Sequence, residues 1–91
     1  MAANGFLGND PQDMQVLIGN LNTAIDQIQS AMALVDGKVN SVQWNGTDAD
    51  NFRNSEWPNS KNQLTKVIQD MGVARDTVQR QKAEQEQASG S

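Results

Sequence analysis

Side chains that commonly carry chemistry are scarce in this sequence. It contains no Cys, no His and no Tyr, so the usual nucleophile–base pairs and the thiolate or imidazole metal sites cannot be assembled. Carboxylates remain. Asp48 and Asp50 have the Asp-x-Asp spacing that opens a calcium loop. Continuing that loop puts Phe52 at its fifth position and Arg53 where glycine must make the sharp turn, so the pattern fails. The two aspartates are read instead as acidic residues at a helix start, complementing the positive end of its dipole. Glu84 and Glu86 stand in the polar run Gln79-Arg-Gln-Lys-Ala-Glu-Gln-Glu-Gln, which offers no apolar pocket to poise an acid. No catalytic residue, cofactor or metal ligand is expected, and the chain reads as non-enzymatic.

What stands out is aromatic. Trp44-Asn45-Gly46 lies almost midway along the 91 residues, with Phe52 and Trp57 soon after it. The elements on either side explain that position. Asp10 is placed to cap a helix, Pro11 suits its first position and Asp13 its first turn. From there Met14, Ile18, Leu21, Ile25, Ile28, Met32, Val35, Val39 and Val42 alternate in steps of four and three. This is a heptad seam on a long helix, predicted over 11–43 and running through Gly37. Leu17, Ala24 and Ala31 form a second stripe beside the seam, widening the apolar face enough to meet two neighbours. Asn45-Gly46 then ends the helix, with Gly46 free to turn left-handed. Thr47 is read as the cap of a second helix over 47–85, with Asp50 completing a capping box. In it Leu64, Val67, Met71, Ala74 and Val78 continue the four-three alternation, with Ile68 alongside. Pro58 removes a backbone donor and crowds the Asn54 carbonyl, predicting a kink or a local break near Trp57-Pro58, or a regular helix that begins only there. Residues 1–9 read as a loose N-terminus in which Phe6 and Leu7 could dock on a neighbour, and 86–91 as a disordered tail.

The fold class is therefore all-α, an antiparallel helix-turn-helix hairpin forming one domain. The hydrophobic fraction is 36% and the aromatic fraction 4%, lean for a small chain that must bury its own core. Disulfide and imidazole-bound metal staples are both excluded, which leaves oligomerisation as the expected support, a dimer closing into a four-helix bundle. A homodimer is the default, and a heterodimer with a related hairpin protein is the other candidate. The net charge of -4 excludes a nucleic-acid binder, which needs clustered Lys and Arg. Five of the seven basic residues, Lys61, Lys66, Arg75, Arg80 and Lys82, fall from residue 61 onward. They fit either two solvated helix faces or charge complementarity between helices or subunits. The opening residues carry no basic region and no long apolar run, so a cleaved signal peptide is not expected. Membrane contact is not expected either, because the acidic surface gives no attraction to anionic headgroups.

Trp44, Phe52 and Trp57 fit two roles on physical grounds, a core cap at the closed end of a hairpin or a recognition site. The chain resembles the WXG family, small early-secreted-antigen-like substrates of type VII secretion systems of actinobacteria and related Gram-positive bacteria. The resemblance rests on the length, on Trp44-Asn45-Gly46 between two heptad helices, and on the stretch from Gly46 to Trp57. The polar run Lys82-Ala-Glu-Gln-Glu-Gln-Ala-Ser adds to it. It implies a hairpin dimer exported without a cleaved leader, with Trp44, Asn45 and Gly46 recognised by the secretion ATPase. Phe52 and Trp57 would pack the tip. Met14, Ile18, Leu21, Ile25, Ile28, Met32, Val35, Leu64, Val67, Met71 and Val78 would form the hairpin and dimer core. Several members also carry a C-terminal Tyr-x-x-x-Asp/Glu signal. This chain has no Tyr; Arg80-Gln-Lys-Ala-Glu84 has the spacing and the acid without the aromatic. The competing reading is a cytoplasmic coiled-coil adaptor or chaperone with an incidental Trp-Asn-Gly turn.

Overall fold

The computed structural model of the protein describes residues 9–90. The docking expected of Phe6 and Leu7, and the last residue of the expected disordered tail, Ser91, lie outside the described residues. Helix α1 spans Pro11–Val39. Its start follows the capping chemistry of the sequence. The Asp10 carboxylate accepts the Gln12 amide at 2.8 Å and the Asp13 amide at 3.3 Å, satisfying donors that the helix itself leaves free. A bend and short loop follow, and then one unbroken helical run. It comprises α2 (Thr47–Asn51), a π-helical turn (Phe52–Glu56) and α3 (Trp57–Gly90). No strand occurs among the described residues.

The two long helices lie side by side as an extended pair, 65 Å long and 17 × 16 Å across. Two cross-helix bonds fix their relative direction. Lys61 Nζ donates to Asp36 Oδ1 at 2.9 Å, and Arg75 Nη1 donates to Asn22 Oδ1 at 3.0 Å. The step from Asn22 to Asp36 along α1 is matched by the step back from Arg75 to Lys61 along α3.

On α1 the contact line is the heptad seam: Met14, Ile18, Leu21, Ile25, Ile28, Met32, Val35 and Val39 are all buried or half-buried. On α3 the line is Trp57, Lys61, Leu64, Ile68, Met71, Arg75 and Val78. It corrects the predicted seam in one respect. Ile68 and Arg75 take the inner positions, whereas Val67 is 41% exposed and Ala74 is exposed. The physical reason is the Arg75–Asn22 and Lys61–Asp36 pairing, which rotates α3 so that its Lys61–Ile68–Arg75 edge faces α1.

The helix bounds also differ from those predicted. The first helix ends at Val39 rather than at residue 43. Lys38 O takes the Ser41 and Val42 amides at 3.1 Å each, and the next carbonyls turn to a side chain described below. The last helix continues through 86–90, where a disordered tail was expected. Its end is rich in strong helix formers and carries an i,i+4 ion pair, Lys82 Nζ to Glu86 Oε1 at 2.7 Å. Of the outcomes expected at Pro58, the regular α-helix beginning there is the one found, since α3 starts at Trp57. A π turn stands before it in place of a kink or break: the Trp57 amide reaches back five residues to Phe52 O, widening the coil where the proline ring would press on Asn54 O.

The core is thin. Only Ile18, Ile25, Val39, Ala49 and Trp57 are buried hydrophobic residues among those described. The chain exposes 6350 Å², against about 5,200 Å² for a compact monomer of this mass.

Candidate functional site

The tip of the pair is held by Arg53, and the local sequence explains how. When α1 stops at Val39, its last carbonyls lose their helical donors. Arg53 stands on the π turn, opposite those carbonyls. Its Nε donates to Val39 O at 2.8 Å, Nη2 to Val42 O at 3.1 Å and Nη1 to Trp44 O at 2.7 Å. One planar guanidinium therefore binds three backbone oxygens along the reversal, a task suited to its rigid fork of donors. The same group sits 5.9 Å from the centroid of the Trp44 ring, within cation–π range.

Gly46 supplies the other constraint. Its φ of 119° and ψ of 179° lie in a region essentially reserved for glycine. It serves as the N-cap of α2, with Gly46 O accepting the Asp50 amide at 3.0 Å. Two expectations change here. The first helix is capped at Asn40 rather than by Asn45-Gly46. Thr47 is the first helical residue and makes no side-chain cap. The turn thus needs glycine for its backbone angles, at the start of the second helix rather than at the end of the first.

The three aromatic side chains form a ladder. Trp44 and Phe52 centroids are 5.8 Å apart and tilted by 51°. Phe52 and Trp57 are 6.4 Å apart and nearly parallel, at 16°. The π turn makes the second contact possible, because five-residue bonding sets residues 52 and 57 over one another, where an α-helix would splay them. Burial falls along the ladder from Trp57, which is buried, through half-buried Phe52 to Trp44, which is 42% exposed. The two tryptophans therefore separate into one core anchor and one presented indole. Asn45 and Gly46 are exposed beside the latter.

Trp57 is anchored through its polar atom as well. Its Nε1 donates to Asp36 Oδ1 at 2.9 Å, the same oxygen that Lys61 Nζ reaches at 2.9 Å. The indole N–H first, and the lysine second, hold the Asp36 carboxyl below the usual carboxylate range; desolvation opposes them weakly. This latch closes one side of the tip. The other side carries an open apolar groove of about 280 Å³, lined by Leu34, Val35, Val39, Val42, Trp44 and Phe52 with the Lys38 stem at its edge.

The tip thus brings Trp44, Phe52 and Trp57 together and holds Asn45 and Gly46 beside them. The remaining proposed core residues lie along the shaft: Met14, Ile18, Leu21, Ile25, Ile28, Met32 and Val35 on α1, and Leu64, Met71 and Val78 on α3, with Val67 on the flank. Sequence reading missed Arg53 and Asp36. Arg53 left no signal in residue types, because its partners are the backbone oxygens of Val39, Val42 and Trp44. The signal for Asp36 was an acid adjoining the seam near a helix end, with Trp57 and Lys61 returning along the partner helix. Such a site has a fixed backbone, a presented indole and an adjoining apolar groove, which suits it to binding a protein surface. Comparison of the chain with protein-family models, with curated proteins and with solved structures finds no match.

Proposed function

We propose that this chain is a non-enzymatic WXG-type substrate of a Gram-positive type VII secretion system. In this reading it is a helical hairpin that pairs with a second copy into a four-helix bundle. It is made in the cytoplasm and exported without a cleaved signal peptide, as a co-secretion partner or effector. Trp44, Asn45 and Gly46 form the surface read by the secretion ATPase.

The observation that carries the reading is the presentation of Trp44. A tryptophan serving only as a core cap would be as buried as Trp57. Trp44 is instead 42% exposed on a backbone whose carbonyl is bound by Arg53 at 2.7 Å. Holding a large apolar group at the surface costs hydration free energy, and a rigid aromatic anchor for a partner accounts for that cost. The thin core and the exposed Leu17, Leu34 and Val67 support the dimer, since burying them needs a second molecule. Among the described residues no helix is long and apolar enough to cross a membrane.

The test is export of the untagged chain from a bacterium carrying a type VII system, with and without its secretion ATPase. ATPase-dependent appearance in the medium is the expected result. Retention in the cytosol in both strains would favour the adaptor reading.

A further inference from the structure

The reversal between the helices contains a reactive pair. The carboxamide carbon of Asn45, Cγ, can be reached by the backbone nitrogen of the next residue, Gly46, to close a five-membered ring. Attack within one chain has the advantage of proximity, so its rate depends on local freedom. The following residue needs an unbonded N–H, little bulk beside it, and a backbone that can turn the nitrogen toward Cγ.

Among the described residues these conditions are met at Asn45 and not at the other asparagines. Asn20, Asn22, Asn59 and Asn62 lie inside the long helices, and Asn51 and Asn54 in the helical run that opens the second. There the next amide is committed to the helix ladder. Asn40 follows the end of α1, but the amide after it, Ser41 N, donates to Lys38 O at 3.1 Å. Asn9 is followed by Asp10, whose side chain is fixed at the helix start by the Gln12 and Asp13 amides. Asn45 differs in each respect. It is exposed in the short loop, and no hydrogen bond engages its carboxamide or the Gly46 N–H. Gly46 has no side chain to shield its nitrogen, and a Cβ placed there would meet nothing within 4 Å. The ring has room to form.

We propose that Asn45-Gly46 is a self-modification site, at which the tip converts itself from a neutral to an anionic form. The Gly46 nitrogen attacks Asn45 Cγ and gives up its proton. The N–Cγ bond forms, the Cγ–Nδ2 bond breaks, and Nδ2 leaves with that proton as ammonia. The product is a succinimide, which water opens on either side. Breaking the N–Cγ bond leaves aspartate at this position. Breaking the bond to the α-carbonyl carbon leaves isoaspartate, with the main chain routed through Cβ and Cγ. Either product adds one negative charge to a net charge of -4. Isoaspartate also lengthens the main chain by one atom, between two pinned points. Trp44 O is held by Arg53 Nη1 at 2.7 Å, and Gly46 O by the Asp50 amide at 3.0 Å. The turn between them must shift, and the Trp44 indole is re-aimed with it. This chemistry holds whether or not a secretion ATPase reads the tip.

The test keeps the intact, folded chain in mildly alkaline buffer and samples it over time by ion exchange and peptide-mass mapping. Hydroxylamine, which cleaves succinimides, is added to a parallel sample. The expected result is an acidic form whose added charge maps to Asn45, with isoaspartate among the products, ahead of conversion at any other described asparagine. Hydroxylamine is expected to cut the folded chain between Asn45 and Gly46. The other Asn-Gly pair, Asn4-Gly5, lies outside the described residues and is told apart by its own peptides. Asn45→Gln would have to close a six-membered ring, and is expected to leave this position neutral over the same interval. Gly46→Ala is expected to slow conversion on the order of tenfold, by crowding the nitrogen and restricting its backbone. Asn45 that stays intact in the folded chain while converting in denaturant would overturn the proposal. An unchanged rate in Gly46→Ala would overturn it equally.

Discussion

Arg53 concentrates the tip's stability in one side chain, so its removal has a calculable effect. Arg53→Ala takes away the donors bound to Val39 O, Val42 O and Trp44 O. Hydrogen bonds from charged groups contribute about 1.5–3 kcal/mol each when sheltered. Only the bond to Val39 O is part-buried, and the other two are exposed. We therefore assign about 1.5–2 kcal/mol to the first and about 0.5–1 kcal/mol to each of the others, a loss near 3 kcal/mol. For a domain of this size that lowers Tm by roughly 12–24 °C. Arg53→Lys keeps the charge but has no planar fork to span three carbonyls, and is expected to recover about a third of the loss. Thermal unfolding by far-ultraviolet circular dichroism, at one fixed protomer concentration because the chain is read as a dimer, gives both values. A loss below about 1 kcal/mol for Arg53→Ala, or a Lys variant indistinguishable from wild type, would refute the three-carbonyl staple.

Two further substitutions probe the same tip. Gly46→Ala meets open space, with nothing within 4 Å of the new Cβ, so its cost is backbone strain alone. At φ 119° that is about 1–3 kcal/mol by denaturant titration, and a neutral Ala variant would show that the turn readily adopts other angles. Asp36 sets an acid dependence. Its folded-state pKa lies below the ordinary 3.8, so the stability it carries is fully present above about 3.8 and is lost as pH falls through the folded value. Melting curves from neutral pH into that acid range should therefore steepen in wild type but not in Asp36→Asn, and equal acid sensitivity of the two would remove the Trp57–Asp36–Lys61 latch from the account.

How much of this was legible in the sequence divides along physical lines. The α1 seam from Met14 to Val39 could be read directly, because a long run of four-three spacing admits one buried face. The α3 seam was harder. Leu64, Met71 and Val78 are common to two adjacent registers, and polar residues on α1, Asn22 and Asp36, choose between Val67 and Ile68 from across the pair. The aromatic ladder was visible as three residue types but not as a geometry. Its Phe52–Trp57 step depends on a π turn, and Pro58 signals only that the α-helical pattern must change nearby. Gly46 was readable as a turn residue, while its place in the turn depended on where α1 stops. That in turn depends on Arg53, whose partners are backbone oxygens and so leave no pattern in residue types. Contacts between side chains at heptad spacing are written in the sequence; a guanidinium bound to three carbonyls is not.

In the function proposed above, the exposed indole serves recognition rather than folding. Trp44→Ala tests it, since the partly exposed ring should be dispensable for assembly. Secreted and cytosolic fractions of the wild-type and Trp44→Ala chains are compared in a bacterium with an active type VII system, with the solution mass of each purified chain measured alongside. The expected Trp44→Ala protein remains a folded dimer but stays in the cytosol. Secretion of that variant at the wild-type level would contradict it.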